Sequence, residues 1–249
     1  MRRGPIARVP DMGARMKLVF YDYVFQRDKP GTTGLSDLAW ETAASLAGLG
    51  EEVHLVGPYP PGTAGPDGVI LHSYPLPPIN YRNVIGHILI VLRGGLFIRR
   101  EIPDYDLIHT QEYLSSAVMV LLGLEPIVLT TPGNIYERIH SHRNPFDITM
   151  TAVLMVAARV TARQIAHILA CSQEMKRWWQ RSGADAANIT VMPYGVEDMF
   201  QPRSEALCRM GWNPSQKHLL FVARMSPEKG PEVLLRAYAQ VAAECPRVH

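Results

Sequence analysis

The sequence predicts an α/β protein in which a doubly wound parallel sheet carries helices on both faces. Short apolar runs rich in Val, Ile and Leu recur along the chain, helical patterns separate them, and turn residues mark the boundaries. Strands that are covered on both faces read as continuous apolar runs, whereas half-exposed strands alternate. We therefore predict one such domain, followed by the first strand-helix unit of a second domain of the same kind.

The individual elements follow from these runs in chain order. Strands are predicted over residues 17–23, 52–57, 68–74, 106–110, 126–130, 166–172, 188–193 and 217–224. Helices are predicted over residues 35–50, 114–123, 146–163, 173–183 and 231–243. In the first of these, apolar residues recur at i, i+3, i+4 and i+7, and Gly50 takes the C-terminal position. Ser172 is placed to cap the helix 173–183, and Gly183 to end it.

Patterning divides the chain into three parts. Residues 1–15 are basic but lack the apolar core of a secretory signal, so we predict a flexible tail. Residues 16–193 hold the first domain, and residues 194–249 hold a linker and an incomplete second domain. The most apolar run, 84–100, contains Arg93 and two glycines and is shorter than the roughly 20 apolar residues of a membrane span. These features favour a cytoplasmic protein.

Charge and cysteine content exclude two classes of function. The net charge of +2 is too small to indicate electrostatic binding of nucleic acid. Cys171, Cys208 and Cys245 lie far apart, without a CxxC pair or a histidine at metal-ligand spacing. We expect reduced structural thiols and no metal site.

Three loops carry residues suited to a ligand, because doubly wound sheets bind ligands beyond the carboxyl ends of their strands. Gly34 closes the "GTTG" loop before a helix, where backbone N–H groups can approach an anion. His109 ends the strand "DLIHT" and can hydrogen-bond a ligand. Arg224 and Lys229 precede a helix and together suit a diphosphate. Each loop also has a structural alternative. Gly34 could serve only the turn before the helix, and His109 could be a structural histidine at the edge of the core. Arg224 and Lys229 could be solvated surface charges.

Residues 192–202, "MPYGVEDMFQP", and 219–238, "LLFVARMSPEKGPEVLLRAY", resemble the inter-domain passage of family 4 glycosyltransferases of the GT-B fold. The family pattern runs approximately P-N-G-V-D, then F-x-P, then a strand with G-R, a short loop and E-K-G. Matching residues occur here in the same order: Pro193, Gly195, Val196, Phe200, Pro202, Arg224, Glu228, Lys229 and Gly230. Three positions differ: Tyr194 for the usual Asn, Glu197 for Asp and Ala223 for Gly. The resemblance covers most of residues 17–249.

The resemblance implies a retaining transferase whose two Rossmann-like domains face a cleft. The first domain would take a sugar or lipid-linked acceptor, and the second a nucleotide-sugar donor. Arg224 and Lys229 would bind the donor diphosphate and stabilise the leaving phosphate, with no metal or other cofactor. Gly34 would approach the donor phosphates and the acceptor. His109 matches a histidine often found after the "D-x-h-H" strand, which gives it a candidate catalytic role.

Two departures from the family pattern bear on activity. Pro132 stands where the family often has the histidine of a T-x-H motif. The family carries an E-x7-E motif farther along the second domain, and no such pair of glutamates follows Gly230 here, so the resemblance implies that these 249 residues do not transfer sugar by themselves. The alternative is a non-catalytic acceptor-binding or interaction remnant of such an enzyme. A nicotinamide-dependent oxidoreductase is disfavoured, because "GTTG" lacks the GxGxxG fingerprint.

The run 84–100 carries a further hypothesis. It combines apolar and cationic side chains in a way that suits an anionic interface: Ile85, Ile88, Leu89, Leu92, Leu96 and Phe97 with Arg93, Arg99 and Arg100. This predicts peripheral contact with lipid, at the inner face of the membrane. The alternative is a helix packed on the core with a few exposed arginines.

Overall fold

The computed structural model describes residues 15–22, 34–76, 84–131, 145–195, 201–223, 225 and 229–244. The strands are β1 Lys17–Tyr21, β2 Glu52–Gly57, β3 Val69–Ser73, β4 Leu107–Thr110, β5 Ile127–Thr131, β6 His167–Ala170 and β7 Ile189–Val191. The helices are α1 Gly34–Gly48, α2 Val84–Glu101, α3 Tyr113–Leu121, α4 Pro145–Thr161, α5 Gln173–Ser182, α6 Arg203–Met210 and α7 Pro231–Glu244. The predicted α/β class is confirmed.

The seven strands form one parallel sheet in the order β3-β2-β1-β4-β5-β6-β7. From β1 the chain proceeds outward to β2 and β3, and it then crosses back and continues in the other direction from β4. The order therefore reverses between β1 and β4. In open α/β sheets this topological switch point opens a crevice at the carboxyl ends of the two strands.

The two faces of the sheet carry different helices. On one face, buried side chains of α2, α3, α4 and α5 form the larger hydrophobic cluster with Val19, Ile108 and Leu129 of the strands. On the other face, α1 packs on β1 and β2 through a smaller cluster that includes Phe20 and Leu55. Strands β1 and β2 are thus covered on both faces, as continuous apolar strands predict.

Helix α2 approaches the sheet closely because it has glycine where it crosses β1. A Cβ atom at Gly94 would lie 2.5 Å from the hydroxyl oxygen and 2.6 Å from Cζ of Tyr21. The Tyr21 and Tyr74 hydroxyls lie 2.7 Å apart. Both also contact the carbonyl oxygen of Ile90, at 3.4 and 3.3 Å. These buried contacts fix the distance between α2 and the sheet.

Residues 84–100 form α2, which agrees in part with both hypotheses, contact with lipid and packing on the core. Ile85, Leu89 and Leu96 are exposed, and so are its three arginines. The other three large apolar side chains pack against the core, namely Ile88, Leu92 and Phe97. In the part of the chain that the structure describes, no helix is long and apolar enough to cross a membrane.

Local signals for helix ends are confirmed. Ser172 Oγ accepts a hydrogen bond of 3.2 Å from the Met175 N–H, and Gly183 ends α5 with φ of 103°. Gly50 follows α1 with φ of 99°. At such positive φ angles glycine is favoured because it has no Cβ atom to collide with the backbone.

The predicted strand 217–224 is absent over residues 218–223, the part of it that the structure describes beyond Lys217. Residues 218–223 have no strand pairing, and Leu219, Leu220 and Val222 are exposed. A parallel strand is stabilised only by neighbouring strands, and no described segment pairs with this one. The helix that was predicted after it is present as α7, within one residue of its predicted end.

Candidate functional site

Two of the residues that the sequence singled out belong to elements that flank the switch point between β1 and β4. His109 lies in β4, opposite Phe20 of β1 in the parallel register. Gly34 is the first residue of α1, the helix that follows β1. A helix that follows a parallel strand begins at the carboxyl edge of the sheet, so this topology directs its free N–H groups toward the crevice.

The His109 imidazole is held by its two strand neighbours. Its Nε2 atom lies 2.7 Å from the Thr130 hydroxyl oxygen in β5. Its ring packs edge-on against Phe20, with 4.6 Å between ring centroids. His109 is 7% exposed, and its buried Nδ1 atom has no hydrogen-bond partner in the structure as described.

Burial decides the charge of His109. It lowers the pKa of His109 from 6.5 to about 4, because the charged form loses its hydration. At neutral pH this residue is therefore a neutral hydrogen-bonding group, with either a donor or an acceptor at Nδ1. It can orient a hydroxyl group, but it does not supply a positive charge to a phosphate.

A carboxylate lies at the end of β1. Asp22 is buried, and its Oδ2 atom accepts a hydrogen bond of 3.3 Å from the Tyr59 hydroxyl. Burial and then the charge of Asp22 raise the pKa of Tyr59 above its ordinary value, so Tyr59 stays a donor. Gly57 admits this arrangement, because a Cβ atom there would lie 2.5 Å from the Asp22 carbonyl oxygen.

The N-termini of α3 and α5 are capped by the chain itself. A Glu112 carboxylate oxygen accepts from the Leu114 N–H at 3.1 Å, as Ser172 does for α5. Thr110 and Ser116 share a buried hydroxyl contact of 2.7 Å beside that cap. The carboxylate of Glu112 repels an anion, so α3 is disfavoured as a phosphate site.

The segment after β7 is tied to the carboxyl end of β5. The Tyr194 hydroxyl donates to the Thr131 carbonyl oxygen at 2.8 Å. In the strand order β6 lies between β5 and β7, so the tyrosine spans the carboxyl end of β6. Burial raises the pKa of Tyr194, which keeps its hydroxyl protonated. Tyr194 is one of the departures from the family pattern, and it here fixes the start of the linker.

The structure describes only part of the residues predicted to bind the nucleotide-sugar donor. Lys229 is exposed and lies immediately before Gly230, which has φ of 67°, and α7. Arg224 and Pro132 lie outside the described residues. The diphosphate role of the two cations and the handling of the sugar at Pro132 therefore stay predictions.

Several polar residues at this edge had no separate signal in the sequence. Asp22, Tyr59, Thr130 and Tyr194 acquire their partners from other elements. A faint signal exists in retrospect, since polar residues end the apolar runs "VFYD" and "IVLTT". Within the described ranges, no group of three or more His, Cys, Asp or Glu side chains is arranged to hold a metal ion.

Known proteins resemble the chain in sequence and in fold. The profile of Glycosyltransferase Family 4 matches residues 32–199. D-inositol 3-phosphate glycosyltransferase 2 of Catenulispora acidiphila is 28% identical over 239 residues, which are 88% of this chain and 56% of the relative. The corresponding protein of Thermobispora bispora is 28% identical over 243 residues, 89% of this chain and 56% of the relative. The chain thus spans about half the length of these curated relatives.

Solved structures agree on the fold. Sucrose-phosphate synthase of Thermosynechococcus elongatus superposes with a TM-score of 0.75 at 16% identity, over 94% of this chain and 61% of that one. Anabaena HepE, solved in complex with UDP-glucose, gives a TM-score of 0.61 at 17% identity, over 94% and 59%. The family profile covers α1 and β2 to β7, and therefore most of the edge that holds His109. The chain belongs to glycosyltransferase family 4.

Proposed function

We propose that the chain forms the acceptor-side domain of a glycosyltransferase that moves a sugar from a nucleotide-sugar donor to an acceptor. The observation that carries this proposal is the family match over residues 32–199, which include α1 and β4 beside the switch-point crevice. There Gly34 opens a helix toward the crevice, and His109 offers a neutral hydrogen-bonding group. The names of the relatives suggest a polyol phosphate such as inositol 3-phosphate as an acceptor to test.

In this proposal Arg224 and Lys229 bind the donor diphosphate. Positive charge fixed beside the leaving phosphate stabilises the transition state without a metal ion. The exposed position of Lys229 before α7 suits this role, because its ammonium group is available to a ligand. We further infer that transfer proceeds with retention of configuration, and that the 249 residues need the remaining length of the relatives to perform it.

The experiment uses a version extended to the relatives' full length. UDP release from UDP-glucose is measured with inositol 3-phosphate as acceptor, and the anomeric configuration of the product is read by NMR. We expect R224A and K229A each to lower turnover by about 10²–10³-fold, as loss of one charge-assisted contact to a developing anion does. The matched control is K217A, which removes another exposed lysine and should leave turnover unchanged.

Three outcomes would count against parts of the proposal. Unchanged turnover in both R224A and K229A would remove the diphosphate role. Binding of the acceptor without any transfer in the extended protein would instead favour the alternative, a non-catalytic acceptor-binding or interaction domain. Transfer by the 249-residue chain alone would contradict the inferred need for the remaining length.

A second candidate function is peripheral contact with lipid through α2. The outward exposure of Ile85, Leu89 and Leu96 beside exposed arginines favours it. An apolar strip flanked by guanidinium groups suits the boundary between lipid headgroups and acyl chains. Such contact would bring the crevice close to a lipid-linked acceptor at the cytoplasmic side of a membrane.

A further inference from the structure

Helix α4 carries an apolar stripe to solvent, like α2. Val156 is 63% exposed, Val160 55% and Ile148 48%. Together with exposed Ala152 they recur every four residues, so they lie along one side of the helix. The opposite side of α4, with Met150, Leu154 and Ala158, is buried in the core.

The two helices are neighbours on the outer surface of the domain. Every side chain from Tyr113 to Val120 of the short helix α3 is buried. Both α2 and α4 pack against α3, and they also contact each other. Because they cover α3, their exposed stripes face away from the sheet. We call this surface the α2–α4 face and define it by Ile85, Leu89, Leu96, Ile148, Val156 and Val160.

Arginines are interspersed in both stripes. Arg93 lies between Leu89 and Leu96 of α2, and Arg159 lies beside Val160 of α4; both arginines are exposed. Arg99 and Arg100 extend the positive charge at the end of α2, where Arg100 pairs with Glu101 at 3.1 Å. The α2–α4 face therefore combines an apolar surface with positive charge.

We propose that the α2–α4 face binds the surface of an anionic lipid bilayer and that α4 contributes as much as α2. The proposal rests on the lipid contact suggested for α2 and extends it to a second helix. Arginine stems lie along apolar surface while their guanidinium groups reach lipid phosphates. A second copy of the chain fits less well, because a two-fold contact through this face would bring its arginines together.

The test is flotation of the purified chain with vesicles of phosphatidylglycerol and phosphatidylcholine in equal parts, compared with phosphatidylcholine alone. We expect binding to the anionic vesicles at low ionic strength, weakened by added salt. The double variant V156Q/V160Q should bind at least about tenfold more weakly, since its two valines no longer leave water for the bilayer. R159Q should weaken binding to the anionic vesicles while leaving the apolar stripe intact.

Two further double variants distinguish the contribution of α4 from that of α2 and from non-specific adhesion. L89Q/L96Q should weaken binding as much as V156Q/V160Q does. V233Q/L235Q changes two apolar residues of α7 that are 71% and 62% exposed, and it should bind like the unchanged chain. All of these positions are exposed, so urea unfolding should give unchanged midpoints and exclude a folding defect.

The outcomes are distinct. Loss of binding in L89Q/L96Q with full binding in V156Q/V160Q would overturn the role of α4 and leave the contact of α2 intact. No binding by the unchanged chain would overturn both proposals. Equal loss in V233Q/L235Q would show non-specific adhesion and overturn the α2–α4 face. A dimer in sedimentation that V156Q/V160Q dissociates would assign the face to a second copy instead.

Discussion

Replacing Gly94 by alanine tests whether the close approach of α2 to β1 stabilises this fold. The new Cβ atom would lie 2.5 Å from the Tyr21 hydroxyl oxygen and 2.6 Å from its Cζ atom, well inside van der Waals contact. Tyr21 is 2% exposed and its hydroxyl contacts that of Tyr74. The ring therefore cannot move aside without breaking buried contacts.

The expected magnitude follows from two opposing effects. Overpacking of a close-packed core costs about 1–3 kcal/mol, and the rigid partner places this case near the upper end. Alanine is favoured over glycine inside a helix by about 0.5–1 kcal/mol. We therefore expect G94A to lower the free energy of unfolding by about 2 kcal/mol.

The assay is urea unfolding followed by circular dichroism and tryptophan fluorescence. G48A is the matched control, because a Cβ atom at Gly48 of α1 meets nothing within 4 Å. We expect G48A to be neutral or slightly stabilising. G95A should fall between the two, since its Cβ would meet the flexible end of Leu122, at 2.5 Å from Cδ1. Equal unfolding free energies for G94A and G48A would refute the reasoning.

The remaining predictions concern other contacts. Burial, and then repulsion from His54, lowers the pKa of His72. The unfolded chain thus binds more protons, so the free energy of unfolding should fall as pH drops below about 6.5, and less steeply in H72Q; identical pH profiles would contradict this. S172A removes the cap of α5 and should cost about 1 kcal/mol in urea unfolding, whereas no cost would show that water replaces the hydroxyl. Y194F removes the hydroxyl that donates to Thr131 at 2.8 Å; amide exchange should accelerate in residues 192–195, and unchanged exchange would mean that other contacts hold this segment.

The His72 prediction depends on a cluster that the strands bring together. His54 Nδ1 lies 2.8 Å from His72 Nε2, and His54 Nε2 lies 2.9 Å from Glu52 Oε1. The hydrogen bond from His54 lowers the pKa of Glu52, with a smaller effect of Lys17, whose ammonium group lies 3.8 Å away. Glu101 of α2 acts in the opposite direction on His72. Only one proton fits between the two imidazoles, so charging both should separate them.

The sequence by itself predicted most of the elements and several of their ends, because these depend on local chemistry. It did not predict α6, which lies in the predicted linker, and α2 entered only as one alternative for residues 84–100. Val-, Ile- and Leu-rich runs predicted the seven strands, and the cap formed by Ser172 and the turn at Gly183 were predicted from neighbouring residues alone. The family resemblance likewise rests on short motifs in chain order. Each of these signals is contained within a few consecutive residues.

Only the tertiary structure decided where the elements lie and what their side chains contact. The reversal between β1 and β4, which pairs His109 with Phe20 of β1, is a property of the strand order. The contact of His109 with Thr130 joins residues 21 positions apart, and that of Tyr194 with Thr131 joins residues 63 apart. The run 218–222 shows the same dependence, because an apolar sequence becomes a strand only when another strand satisfies its N–H and C=O groups.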